Sequence, residues 1–153
     1  MPSLKIESKL DEDIERLYAD LLTMDGVNYE LMPLVKMTTP SEWASKHLKL
    51  WPIGSELFSS VILLFGIIPV DIHKFKLSKV DEAGFEERSD SLIHKKWNHS
   101  RTIKSLGSTC IVIDELEFVP KLRFLGPVMK PVYSAIFKHR HKRIAVKYGA
   151  VGE

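Results

Sequence analysis

Residues 125–148 read LGPVMKPVYSAIFKHRHKRIAVKY, and this stretch decides the fold. On a helical wheel at about 100° per residue, Leu125, Met129, Val132, Tyr133, Ile136, Phe137, Arg140 and Ile144 share one face, with Ser134, Lys138, Lys142 and Ala145 opposite. A helix of this length needs a broad apolar surface to lie on. Arg140 stands near the middle of the apolar face. Pro127 suits a first helical turn, whereas Pro131 lacks the amide proton of a mid-helix bond, so the helix is expected to kink or begin there.

The surface is expected from the preceding stretches. Leu57–Phe65, Val70–Val80, Phe85–Ser91, Ile93–Ser105 and Thr109–Val119 read as strands, separated by turns at Gly66–Pro69, Asp81–Gly84 and Leu106–Ser108. Strands joined by tight turns pair antiparallel. Upstream, Leu4, Ile6, Ser8 and Leu10 alternate with charged residues as a short first strand. Asp11 is read as the cap of a helix carrying Ile14, Leu17, Tyr18, Leu21 and Leu22, stopped by Gly26 in a left-handed conformation. Asn28 is read as the cap of a second short helix ending by Pro33, and Leu34–Thr39 follows as a strand. Ser41–Gly54 reads as a short helical turn or a folded loop, whose Trp43 and Trp51 cover a core edge or, as the less favoured reading, line the mouth of a pocket. The fold class is therefore α+β: a curved antiparallel sheet wrapped around a long C-terminal helix, with two short helices after the first strand.

At 153 residues the chain is expected to form one domain, residues 1–153, large enough to bury a core. A net charge of +2 is too small to imply a polyanion, so no nucleic-acid partner is expected; the basic end of the last helix reads as a solvated face complementing its dipole. Cys110 is the single cysteine, which excludes an intrachain disulfide and a cysteine zinc site and suits a reducing compartment. No signal-peptide pattern opens the sequence. The longest apolar run, Val61–Val70, holds Gly66 and Pro69 and falls short of the roughly 20 residues of a membrane helix. The expectation is a cytoplasmic protein with no integral membrane segment.

Four stretches, in this order along the chain, resemble the START-like helix-grip (SRPBCC) superfamily, and more narrowly its bacterial ligand-binding, polyketide cyclase-like members. They are Gly26-Val27-Asn28-Tyr29-Glu30-Leu31; Phe65-Gly66-Ile67-Ile68-Pro69-Val70; Trp97-Asn98-His99 with Asp114-Glu115-Leu116; and Phe137-Lys138-His139-Arg140-His141-Lys142-Arg143-Ile144. The resemblance implies a hydrophobic cavity between the sheet and the final helix. It does not imply one function, because the fold hosts carriers, receptors and cyclases.

Strand alternation nominates the residues facing that cavity. Cys110, Val112, Asp114, Leu116 and Phe118 share the more apolar face of the last strand; Trp97, His99, Arg101 and Ile103 share that of the strand before. Phe75 and Leu77 set the phase of the strand from Val70 and bring Asp71 and His73 inward. The candidate pocket residues are thus His73, Phe75, Leu77, Trp97, His99, Arg101, Asp114, Leu116 and Phe118 from the sheet, with Met129, Tyr133, Ile136 and Arg140 from the helix. Buried charges come paired, so Asp114 is expected to meet Arg101 or Arg140. Such a pair reads as an internal salt bridge fixing register. It also reads as the polar end of a greasy pocket, or as a catalytic set with His99 as general base and Asp114 behind it. His139 and His141 stand about 200° apart on a helix and cannot grip one ion, and the other histidines lack zinc-ligand spacing, so neither metal nor cofactor is expected. The favoured reading is a non-enzymatic carrier or sensor of a small hydrophobic or amphipathic molecule. A polyketide cyclase or dehydratase is the alternative, and a protein-interaction module docking through the basic helix end or Ser41–Gly54 is the third.

Overall fold

A computed structural model describes residues 2–151. In chain order they form β1 (Ser3–Leu10), α1 (Ile14–Leu21), α2 (Met24–Leu31), β2 (Val35–Met37), α3 (Ser41–Ala44), a 3-10 turn (Leu48–Leu50), β3 (Phe58–Leu64), β4 (Ile68–Phe75), β5 (Leu77–Asp81), β6 (Gly84–Ser91), β7 (His94–Leu106), β8 (Thr109–Pro120), a second 3-10 turn (Arg123–Leu125) and α4 (Gly126–Tyr148). The strands join one antiparallel sheet in the order β1-β8-β7-β6-β4-β3-β2, with β5 beside β6. The sheet curls around α4, with α1 and α2 closing one end, so the architecture is the α+β helix-grip arrangement.

Local chemistry departs from the sequence reading in several places. The residue preceding α1 is Asp13, not Asp11, and its side chain makes no capping bond; Asp11 instead donates its backbone N–H to Gly149 O at 2.8 Å. Gly26 does not stop a helix. Thr23 caps α2 by accepting from Gly26 N at 3.0 Å, and Gly26 is needed because a Cβ there would stand 2.3 Å from the Asp20 carbonyl oxygen. Asn28 lies within α2, where its amide bonds both the N–H and the carbonyl of Met37, at 2.8 and 2.9 Å, and ties the helix to β2. Val70–Val80 is broken at Lys76 into β4 and β5, yet the inward phase survives: Asp71, His73, Phe75 and Leu77 are all buried. Pro69 belongs to β4 rather than to a turn, opposite Leu63 at a bulge that tolerates a residue without an N–H. Ser41–Gly54 is partly ordered by α3 and the 3-10 turn; Trp51 is buried edge-on against Trp43, Phe58 and Phe75.

Helix α4 runs unbroken through Pro131. Its C-terminal half packs inward through Phe137, Arg140, His141, Ile144 and Tyr148, and Arg143 and Lys147 lie over the Tyr29 ring of α2. Its N-terminal half is looser, and Val132, expected on the packed face, is 53% exposed.

The core is divided across its middle by charge. Leu10, Ile103, Val112, Ile144 and Tyr148 belong to one apolar cluster, while Leu116, Phe118 and Phe137 form a second with Leu4, Ile6, Trp97, Met129 and Tyr133 against it. Between the two, each element contributes polar side chains at the same level: Ser8 of β1, Arg101 and His99 of β7, Asp114 of β8, and Arg140 and His141 of α4. Antiparallel register sets Arg101 directly opposite Asp114.

Candidate functional site

The polar belt is built on Arg101 and Asp114, both sealed from solvent. Arg101 meets Asp114 in a two-pronged contact, Nε to Oδ1 at 2.9 Å and Nη2 to Oδ2 at 2.7 Å. It meets Glu30 of α2 in another, Nη1 to Oε2 at 2.8 Å and Nη2 to Oε1 at 2.6 Å. Arg140 adds its Nε to Glu30 at 3.1 Å. Asp114 also accepts from His99 Nε2 at 2.8 Å and His141 Nε2 at 2.7 Å, which leaves His141 Nδ1 to accept from the Ser8 hydroxyl at 2.7 Å. Burial pushes the Asp114 carboxyl up, but the Arg101 charge and the two imidazole donors outweigh it and hold it well below the usual carboxylate range. Burial likewise opposes the charge on Arg101, and Asp114 and Glu30 overcome it.

Beside the belt, between α4, α2 and the strands β4, β6 and β7, lies a cavity of about 370 Å³. Its walls are mostly apolar, from Met24, Val27 and Leu31 of α2, Phe75, Phe85 and Trp97 of the sheet, and Met129, Ile136 and Phe137 of α4. Val70, Val128 and Val132 line it and are exposed, so they mark its mouth. Polar groups interrupt the wall at two places. Near the mouth, Tyr133 OH lies 2.7 Å from His94 Nε2, and His94 Nδ1 lies 2.8 Å from Ser91 Oγ and 3.4 Å from Asp71 Oδ2. Imidazole Nδ1–H pointing at Ser91 and Asp71 leaves Nε2 to accept the phenol proton. Burial, and then the Asp71 charge, push the Tyr133 phenol up, so it stays protonated. Asp71 feels burial too, but His94, Ser91 and the Ile72 amide hold it low. Further along, His73 is bonded to Glu87, which also accepts from Ser89 Oγ at 2.6 Å. Burial would discharge His73, but Glu87 wins and raises its pKa.

Of the residues nominated from sequence, His73, Phe75, Trp97, His99, Met129, Tyr133, Ile136 and Arg140 line the cavity. Leu77, Arg101, Asp114, Leu116 and Phe118 do not. Leu77 is core, Arg101 and Asp114 lie beneath His99 in the belt, and Leu116 and Phe118 lie behind Trp97, Tyr133 and Phe137. Strand alternation tells which face a residue takes, not how many layers cover it. Several polar residues of the belt and cavity were not nominated. Glu87 was missed because the inner face of β6, Phe85, Glu87, Ser89 and Ser91, holds one apolar residue and so gives no contrast to read. Glu30, His94 and His141 were missed because nothing in spacing marks them; His141 and Arg140 are consecutive and both turn inward. Among the described residues no group of three or more His, Cys, Asp or Glu is arranged to hold a metal ion. None of the described helices is long and apolar enough to cross a membrane.

The fold is shared with solved structures of low sequence identity. A Chromobacterium violaceum protein aligns over 99% of this chain and 100% of its own, at 12% identity and a TM-score of 0.73. A START superfamily protein from Mycobacterium smegmatis aligns over 95% and 96%, at 11% identity and 0.66. Ara h 8.0201 aligns over 94% and 97%, at 13% identity and 0.56. The molecule thus has the START-like helix-grip fold. Within that class the chain belongs to the family described as Domain of unknown function (DUF8410), whose model matches residues 8–148. Among curated proteins, none matches the sequence.

Proposed function

We propose that this protein binds a small hydrophobic or amphipathic molecule in the cavity between the sheet and α4, as a cytoplasmic carrier or sensor acting through one binding unit. The observation that carries the reading is the cavity itself. At about 370 Å³, with apolar walls and a few convergent polar groups, it has the size and lining of a ligand pocket rather than a packing defect. Binding is favoured over reaction because Asp114, the group that would polarise His99, is already committed to Arg101. Native mass spectrometry of freshly purified protein tests the reading. The expected result is a bound small molecule that organic extraction removes and re-addition restores, with a rise in melting temperature. Protein that carries nothing, and whose melting temperature no apolar probe such as ANS or a medium-chain alcohol shifts, would sink it.

A further inference from the structure

Two buried arginines stand side by side in the belt, and they are used unequally. Arg101 donates from Nε, Nη1 and Nη2, all to carboxylate oxygens. Arg140 donates from Nε alone, to Glu30. Its Nη1 and Nη2 have no acceptor among the described residues, although the residue is only 5% exposed. Neither is among the sealed polar atoms that lack a partner, and Arg140 lines the cavity. The Phe137 ring lies 5.0 Å from the guanidinium carbon and, with Glu30, fixes the plane of the group.

A guanidinium with two idle donors beside a largely apolar cavity is costly, and its planar fork matches the two oxygens of a carboxylate. The neighbouring acids do not compete for it. Glu30 already accepts from Arg101 and through Arg140 Nε, and Glu87 is tied to His73 and Ser89. Within the belt, Arg101 and Arg140 balance Glu30 and Asp114. A dianionic phosphate would therefore leave more uncompensated charge than a carboxylate.

We propose that the ligand is an amphipathic carboxylic acid whose carboxylate is held by Nη1 and Nη2 of Arg140, with its apolar body running past Ile136 and Met129 to the mouth at Val128 and Val132. This rests on the ligand-binding reading above and narrows it to one chemical class. The test is calorimetric titration of the delipidated full chain with decanoate and with decanol, matched in chain length. The acid is expected to bind roughly tenfold tighter than the alcohol, the scale of one charge-assisted forked contact. In Arg140→Gln the preference for the acid over the alcohol should disappear; Arg140→Lys, which keeps the charge without the fork, should retain part of it. Equal binding of acid and alcohol by the natural protein, a comparison that needs no variant, overturns the carboxylate proposal and leaves the cavity reading standing. So does a gap that persists in Arg140→Gln. Binding of neither compound overturns both.

Discussion

Asp114 accepts four hydrogen bonds in a place no water reaches. Such a group ties the stability of the molecule to pH. Its folded pKa lies below the unfolded value of about 3.9, so the stability it contributes is present above that value and is lost as pH falls below about 4 through the depressed folded pKa. His73 works in the opposite direction. Its pKa is raised in the fold, so its contribution is complete below about pH 6.5 and is lost as pH climbs through the raised value. Melting temperatures measured across pH should therefore decline on both sides, and His73→Gln should flatten the alkaline decline while leaving the acid one. Removing the central cation is harsher. Arg101→Met leaves Glu30 and Asp114 facing each other without their shared partner and should cost about 3–5 kcal/mol in denaturant titration. A loss within about 0.5 kcal/mol would mean that the belt is not electrostatically coupled.

Between neighbouring elements, the packing depends on close approaches of backbone. Gly84 opens β6 at φ 148°, and a Cβ there would meet the Arg101 carbonyl oxygen at 1.8 Å. The turn before β6 is thereby pressed onto the strand that carries the belt. Gly107, in the β7–β8 turn, also has positive φ, at 81°, but no atom stands within 4 Å of its hypothetical Cβ. Gly84→Ala should therefore destabilise by about 1–3 kcal/mol more than Gly107→Ala, the added cost of overpacking, as read from paired chemical melts. Equal losses would show that backbone conformation alone is at stake. The same elements mark what the sequence makes legible. Strands were readable where apolar and charged residues alternate, as in β1 and β8. Helix boundaries were not: Gly26 and Asn28 carry the residue types of a stop and a cap, but tertiary contacts to Asp20 and Met37 claim them instead.

Across the whole molecule, the order of elements was enough to identify a START-like fold, because the long amphipathic segment 125–148 leaves few surfaces it could lie on. The charged belt was half legible. Asp114, Arg101 and Arg140 interrupt apolar faces and so advertise themselves, whereas Glu30 sits on a short helix and takes its meaning only from Arg101, 71 residues away in sequence. The division of the core by this belt also gives α4 two unequal halves. Beyond Phe137 the helix is bolted to the sheet and to α2 by Arg140, His141, Arg143, Ile144 and Tyr148. Before Tyr133 it carries exposed Val128 and Val132, and Pro131 lacks one rung of its hydrogen-bond ladder. Traffic through the mouth at Val70, Val128 and Val132 should thus proceed by transient fraying of one helix end, with the sheet standing still. Amide hydrogen exchange should be faster at Val128–Tyr133 than at Phe137–Tyr148, and a bound guest should slow only the first set. Uniform protection along the helix would mean that passage opens elsewhere. Loading and release would then be governed by the local stability of about two helical turns, a quantity that can be tuned by point substitution without touching the interior.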